Sequence, residues 1–381
     1  MWASAGGRPT PGREAPGWEA PGWDRLSWEG LSWDRLAAVT AAAQAFFSAQ
    51  LGTRPGAWVP GYLVARGFGR PVWRRWGIGY APRGWTALLR HLRGLGFPDE
   101  AVLAAGLARR TARGSLVDVF RDRIMFPVRS ADGIVAGFIG RASPGPSPPG
   151  RAPPDPGRPV YLNTGSTPLY RKRELLFGLH EARHALAEGA TPVLVEGPFD
   201  AIAVSVADHR IGTGARFAGL APCGTALTAE QLALLGDAAD LAVSGVVVAF
   251  DGDRAGRAAS VRAFKLLNAI PGTVSTLTLP DGHDPAGYLR EYGPAQLAEL
   301  LASGQHPLAD LVLDARIDEF ARWLQYPEGV YNALHAAAAT IARLPPRDVA
   351  RQVFRTAGRL GVRYEEVTAA LIEAAVRVAN Q

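Results

Sequence analysis

Thr191–Ala201 reads TPVLVEGPFDA and Val246–Gly256 reads VVVAFDGDRAG. Each contains a short unbroken apolar run, Val193–Val195 and Val246–Phe250, that stops abruptly at acidic residues. Runs this short and this rich in β-branched residues predict strands buried on both faces, the pattern of a parallel sheet covered by helices. Ligands of such sheets gather beyond the carboxyl ends of the strands. Those ends carry Glu196 and Asp200, then Asp251 and Asp253; a third run, Val274–Leu279, leads to Asp284 in GHDPAGYL.

Each motif has a plainer reading. Asp200 could cap a helix over Ala201–Ala207, and Asp251 with Asp253 could form an Asp-Gly turn. A turn does not require acid after successive strands, however, and clustered carboxylates repel one another unless a cation or proton neutralises them. A hard divalent cation is the simplest neutraliser, because Mg²⁺ accepts a few carboxylates and keeps its waters for phosphate oxygens.

In this order and spacing VEGPFDA, FDGDRAG and HDP resemble the Toprim domain shared by primases, topoisomerases and some nucleases, and the FDGDRAG form resembles bacterial DnaG-type primases. The resemblance implies Glu196 as general acid/base. It implies Asp251, Asp253 and Asp284 as carboxylates for Mg²⁺ or Mn²⁺, with Glu196 and Asp200 completing the metal set. It departs from the family at Asp284-Pro285-Ala286, where the family commonly has Asp-Pro-Asp.

Further family-like stretches flank this core. YLVARGFGRPVWRRWGIGYAPRGWTALLRHL and DVFRDRIMFPVRSADGIVAGFIGR lie upstream, as does VYLNTGSTPLYRKRELLFGLHEA, with Val160 where the family often has lysine. Lys172 matches a family lysine that contacts nucleic acid or nucleotide, and Asn163 of the same stretch joins the candidates. CGTALT resembles the Gly-Thr segment after the second Toprim strand, although a helix N-terminus accounts for Thr225 and Thr228 equally well.

Charge is uneven. Residues 51–184 hold 21 Lys and Arg against 8 Asp and Glu, while the whole chain is only +6. A basic segment beside an acidic metal domain suits a polyanion held at a metal centre. Arg66, Arg74, Arg75, Arg121, Arg123, Arg141 and Lys172 are the phosphate-contact candidates; Trp73, Trp76 and Trp85 are read as core in preference to base-stacking platforms.

The expected architecture is α/β plus α. A tail rich in Gly, Pro and Trp, with repeats PGWEA/PGWDR and LSWEG/LSWDR, spans 1–34 and is expected to be disordered, its tryptophans offering a docking segment for a partner as the alternative. A basic α+β subdomain, 35–185, opens with a helix over Leu36–Gln50. It continues with helices near Thr86–Leu95 and Pro98–Ala105, and a hairpin of Arg123–Val128 and Ile134–Ile139. Its loop 142–159 holds 8 prolines, too many for a backbone ladder. A Toprim domain with a central parallel sheet occupies 186–295. A helical domain, 296–381, has helices near 308–325, 330–343, 347–360 and 364–379.

The only cysteine, Cys223, excludes a disulfide within the chain and a Cys-rich zinc ribbon. No zinc is expected, so the zinc module typical of the family would act in trans if at all, and a helicase-binding domain does not fit. With no apolar run of about 18 residues and no secretory leader, a cytoplasmic protein is expected. The function expected is primer synthesis: RNA made from nucleoside triphosphates on single-stranded DNA for replication, with a replicative helicase as a possible partner. The rivals are another Toprim enzyme, nuclease or topoisomerase, and a degenerate primase that only binds single strands. No G-x-x-x-x-G-K-[ST] motif of an ATPase-linked nuclease occurs.

Overall fold

The structure, a computed structural model, describes residues 31–53, 58–143, 159–208, 216–280 and 282–379. The expected tail up to residue 30 and the proline-rich stretch 144–158 lie outside the described residues.

The first part comprises helices α1 (Trp33–Thr53), α2 (Trp58–Ala65), α3 (Arg70–Trp76), α4 (Ala87–Gly94) and α5 (Asp99–Ala104). Its strands are β1 (Gly79–Ala81), β2 (Ala108–Arg110), β3 (Leu116–Asp118), β4 (Arg123–Arg129), β5 (Val135–Ala142) and β6 (Tyr161–Asn163). Strands β1-β4-β5-β6 form an antiparallel sheet, while β2 and β3 make a separate hairpin. The β4–β5 hairpin is as expected, Phe126 opposite Ile139, with a register shift at Val128/Arg129.

Between β3 and β4, Asp122 adopts φ +50°, rare outside glycine. Trp58 Nε1, Tyr80 Oη and Arg83 Nε all donate to its carboxylate, at 3.1, 2.9 and 2.9 Å, and hold it there. Its neighbours have opposite fates. Arg121 lies 3.6 Å from the ring centre of Trp85, which is 58% exposed. Arg123 is 2% exposed and donates to the carbonyls of Gly140, Val160 and Pro159. Arg123 therefore ties strands together rather than offering itself to phosphate, and Trp85 is surface rather than core. Trp76 is buried as expected, and Trp73 is half-buried with Nε1 donating to Phe68 O.

The second part contains β7 (Leu176–Phe177), α6 (Leu179–Ala187), β8 (Thr191–Leu194), α7 (Pro198–Asp208), β9 (Phe217–Pro222) and α8 (Ala229–Ala238). It continues with α9 (Leu241–Ser244), β10 (Val246–Val248), α10 (Arg254–Leu267), β11 (Val274–Leu277), α11 (Pro285–Tyr292), α12 (Pro294–Ser303) and β12 (Gln305–Pro307). Its six-stranded sheet runs β12-β11-β10-β8-β9-β7. The inner strands are parallel, with Val247 opposite Val193, Val246 opposite Val274 and Leu194 opposite Leu220. Both edges are antiparallel, and they lie outside the expected span 186–295.

Alternation along the inner strands explains their unbroken apolar character. Val193, Val195, Val247 and Ala249 enter one core with the first part of the chain, α7, α11 and α12. Leu194, Val246 and Val248 enter a second core with α8, α10 and the C-terminal helices.

Those helices are α13 (Leu308–Asp318), α14 (Pro327–Ile341), α15 (Pro346–Leu360) and α16 (Tyr364–Ala379). The first is shorter than the expected 308–325. Pro327 disfavours helical geometry at Tyr326, and Gly329 comes so close to the Trp323 carbonyl that a Cβ there would meet it at 2.0 Å. The chain turns through 319–326 by short-range bonds such as Trp323 N–H to Phe320 O. Among the described residues no helix is long and apolar enough to cross a membrane.

Candidate metal centre

Every acid singled out in the sequence sits at or just beyond the carboxyl end of an inner strand. Glu196 follows β8, at the solvent rim, and its Oε1 accepts the Asp251 N–H at 3.2 Å. Asp200 lies in the first turn of α7 rather than at its cap, and is 6% exposed. Asp251 follows β10. Asp253 caps α10, accepting the Gly256 N–H at 2.8 Å, and Asp284 caps α11, accepting from Gly287. Capping by Asp253 and Asp284 does not exclude a metal, since a carboxylate has lone pairs for both.

Asp200, Asp251 and Asp284 each bring a carboxylate oxygen within 4.8 Å of the other two. Three carboxylates so close are unstable as bare anions. Burial, then Asp284, lifts Asp200 well above the ordinary carboxylate range, the Ala286 N–H at 3.2 Å only partly opposing it. Asp251 is pushed up to about 7, by burial first and then by Glu196, Asp284 and Asp253. Glu196 is raised too, by partial desolvation and then by Asp253 and Asp284, while the Asp251 N–H opposes. The donors are all hard oxygens, which fits a divalent cation of the Mg²⁺ type. Glu196 and Asp253 stand at the edge of the triad rather than in it. Ala286 is fully buried and serves Asp200 through its backbone N–H.

The basic candidates divide. The Arg66 guanidinium lies 4.8 Å from the ring centre of Tyr62 and 5.1 Å from that of Phe199. Arg141 lies 5.0 Å from Tyr62, 5.5 Å from Phe199 and 5.7 Å from Tyr161. Two arginines from distant segments thus meet on Phe199, the residue before Asp200, and Arg141 and Asp200 both act on the Tyr161 hydroxyl. The Nε atoms of both arginines are buried without a hydrogen-bond partner among the described residues. Sequence reading found the arginines but missed their aromatic seats. The signal was faint: Tyr62 four residues before Arg66, and Phe199 adjoining an acid.

Arg74 and Arg75 are exposed in the last turn of α3. Lys172 is half-buried in a short 3-10 turn, where its carbonyl accepts from Gln231. Asn163 Oδ1 accepts the Tyr170 hydroxyl at 3.2 Å, and a Cβ on Gly224 would meet its amide nitrogen at 2.4 Å. Thr228 forms a capping box with Gln231 on α8, which bears out the helix-start reading for that residue.

Carboxylates carried on a parallel sheet in this way define a protein of the Toprim class, and residues 193–289 match the Toprim-like family model. Residues 46–183 match the N-terminal domain of the DNA primase catalytic core. A DNA primase of Mycobacterium tuberculosis is 34% identical over 313 residues, 81% of this chain and 46% of that protein. The RNA polymerase domain of M. tuberculosis primase DnaG is similar in structure, with a TM-score of 0.71 at 33% identity over 86% of this chain and 99% of that one. The same domain in complex with double-stranded DNA also gives a TM-score of 0.71 at 33% identity, covering 87% and 99%. The chain belongs to the DnaG-type primase catalytic-core family. It spans about half the length of the full primase it matches.

Proposed function

We propose that the chain is a metal-dependent nucleotidyltransferase that makes short RNA primers from nucleoside triphosphates on single-stranded DNA. The observation that carries this reading is the Asp200–Asp251–Asp284 triad, with Arg66 and Arg141 seated on Phe199, the residue before Asp200. Asp200, Asp251 and Asp284 would hold Mg²⁺ or Mn²⁺, with Asp253 at the rim. When bound, such an ion activates a 3′-hydroxyl and neutralises the leaving pyrophosphate. Glu196 keeps Oε1 on the Asp251 amide, leaving Oε2 to take the proton of the attacking hydroxyl. Arg66 and Arg141 hold phosphate oxygens in charge-assisted pairs. Arg74, Arg75, Arg121, Asn163 and Lys172 serve the template strand, and Arg123 is reserved for structure.

The M. tuberculosis domain solved with DNA supports a nucleic-acid partner for this chain. No zinc is assigned, since Cys223 is fully buried in the core. A replicative helicase or a zinc module acting in trans, in the cytoplasm, completes the proposal.

The test is synthesis of labelled RNA on mixed-sequence single strands with Mg²⁺ and with Mn²⁺. Products formed only by nicking or relaxing duplex would move the chain to the other Toprim enzymes. A second reading, a single-strand-binding relic, is favoured by Ala286; binding without synthesis under either metal would establish it.

A further inference from the structure

Helix α11 begins at its cap Asp284, the third carboxylate of the triad. Tyr288 and Tyr292 follow the cap at intervals of four, so the two rings leave one face of the helix, about 6 Å apart per turn. The two tyrosine rings lie 4.6 Å apart between centres. His283, the residue before Asp284, adds a third ring, 6.3 Å from Tyr288 and 5.8 Å from Tyr292. The His283 carbonyl accepts the Gly252 N–H at 3.2 Å, and its Nε2 lies 2.9 Å from Glu291. The ring cluster is thereby fastened to the Asp251–Asp253 loop. Tyr288 packs on the core, whereas Tyr292 is 42% exposed. On the opposite side Leu289 lies against Gly67, next to Arg66.

We infer that this aromatic wall stacks a nucleobase beside the acidic triad. A core role alone accounts for Tyr288, but it does not account for a second tyrosine set against it at a tilt of 42° and left half in solvent. Every base has a π-face, so a stacking platform accepts any of them, and Glu291 holds the Tyr292 hydroxyl at its edge. A nucleotide with its phosphates at Asp284 has its base within reach one or two turns along α11. The inference deepens the function proposed above and rests on it for the phosphate end only. The base is that of an incoming triphosphate or of a nucleic-acid strand.

The test uses the full chain with Mg²⁺ and four probes: ATP, inorganic tripolyphosphate, a thymidine oligonucleotide, and the same oligonucleotide with abasic positions. Tyr292→Ala should weaken the base-bearing probe about tenfold and leave tripolyphosphate unchanged, and Tyr292→Phe should restore wild-type affinity. A loss confined to ATP assigns the site to the incoming nucleotide. A loss confined to the oligonucleotide, with the abasic strand unaffected, assigns it to the strand. Tripolyphosphate left unbound by wild type would sink the phosphate reading and spare the stacking site if base-dependent binding persists. Equal binding of all probes by Tyr292→Ala and wild type would overturn the inference, as would equal weakening of all four.

Discussion

Asp251 shows what a crowded carboxylate does to stability. Its folded-state pKa of about 7 lies above the ~3.9 of an unfolded chain. The stabilising contribution of its protonated form is therefore complete below the unfolded value and is lost as pH rises through about 7. Asp200 and Glu196 move in the same direction. Metal-free protein should melt lower at about pH 8 than at about pH 5. After discounting for the partial exposure of Asp251, the difference is about 1–2 kcal/mol from that residue. Millimolar Mg²⁺ should shrink the gap, and Asp251→Asn should both shrink it and abolish synthesis. A metal-free melting curve that does not move over this range would count against the repulsion. Arg66→Ala or Arg141→Ala should raise the KM for nucleoside triphosphate tenfold or more, since a charge-assisted phosphate contact is worth roughly 1.5–3 kcal/mol. An unchanged KM in both variants would remove the arginine pair from the site.

At the scale of elements, the close seating of α7 on β9 places Asp200. A Cβ on Gly219 of β9 would meet the Ala201 carbonyl at 2.3 Å, and that contact is backbone, which cannot rotate away. Gly219→Ala should push α7 from the sheet, destabilise the fold by about 1–3 kcal/mol and weaken Mn²⁺ binding although no ligand is changed. Wild-type metal affinity in that variant would show the helix position to be irrelevant. In the C-terminal bundle, Arg351, Arg355 and Arg359 of α15 pair with Asp310, Asp314 and Asp318 of α13 at 2.6 Å each. Only Asp310 is buried, where it also accepts from Gln352 Nε2 at 2.6 Å. Asp310→Ala should cost about 2–4 kcal/mol by denaturant titration, and Asp318→Ala, on the exposed end, under about 1 kcal/mol. Equal costs would contradict the gradient of burial. The inner strands were legible because a strand buried on both faces has no polar alternation to blur it. Edge strands β7 and β12, of two and three residues, lack a recognisable period. Nor does the length of α13 follow from propensity, because Pro327 and the close approach at Gly329 end the helical path.

For the whole molecule, the charge asymmetry read from composition leads to a test of whether template holding and metal chemistry are separate tasks. Sequence alone could not sort the arginines, because which of two neighbours turns inward depends on the left-handed turn at Asp122. That turn buries Arg123 and seats Arg121 on exposed Trp85. Composition was silent on the meeting of Arg66 and Arg141 too, since it requires β5 to bring residue 141 back beside α2. If the basic surface carries the template, binding releases counterions, so affinity for a single strand should fall steeply with salt, by about 0.7 log units per phosphate contact for each decade of salt. Reversing Arg74, Arg75 and Arg121 together to glutamate should flatten that slope by about two units and weaken all sequences alike. Asp251→Asn should leave the slope as it is, because removing an anion from the metal site takes no cation from the track. Two variants, each silent in the other's assay, would separate template holding from metal chemistry within one chain. A wild-type affinity indifferent to salt, or a slope that Asp251→Asn alters as much as the triple reversal does, would mean that the two tasks are not separate.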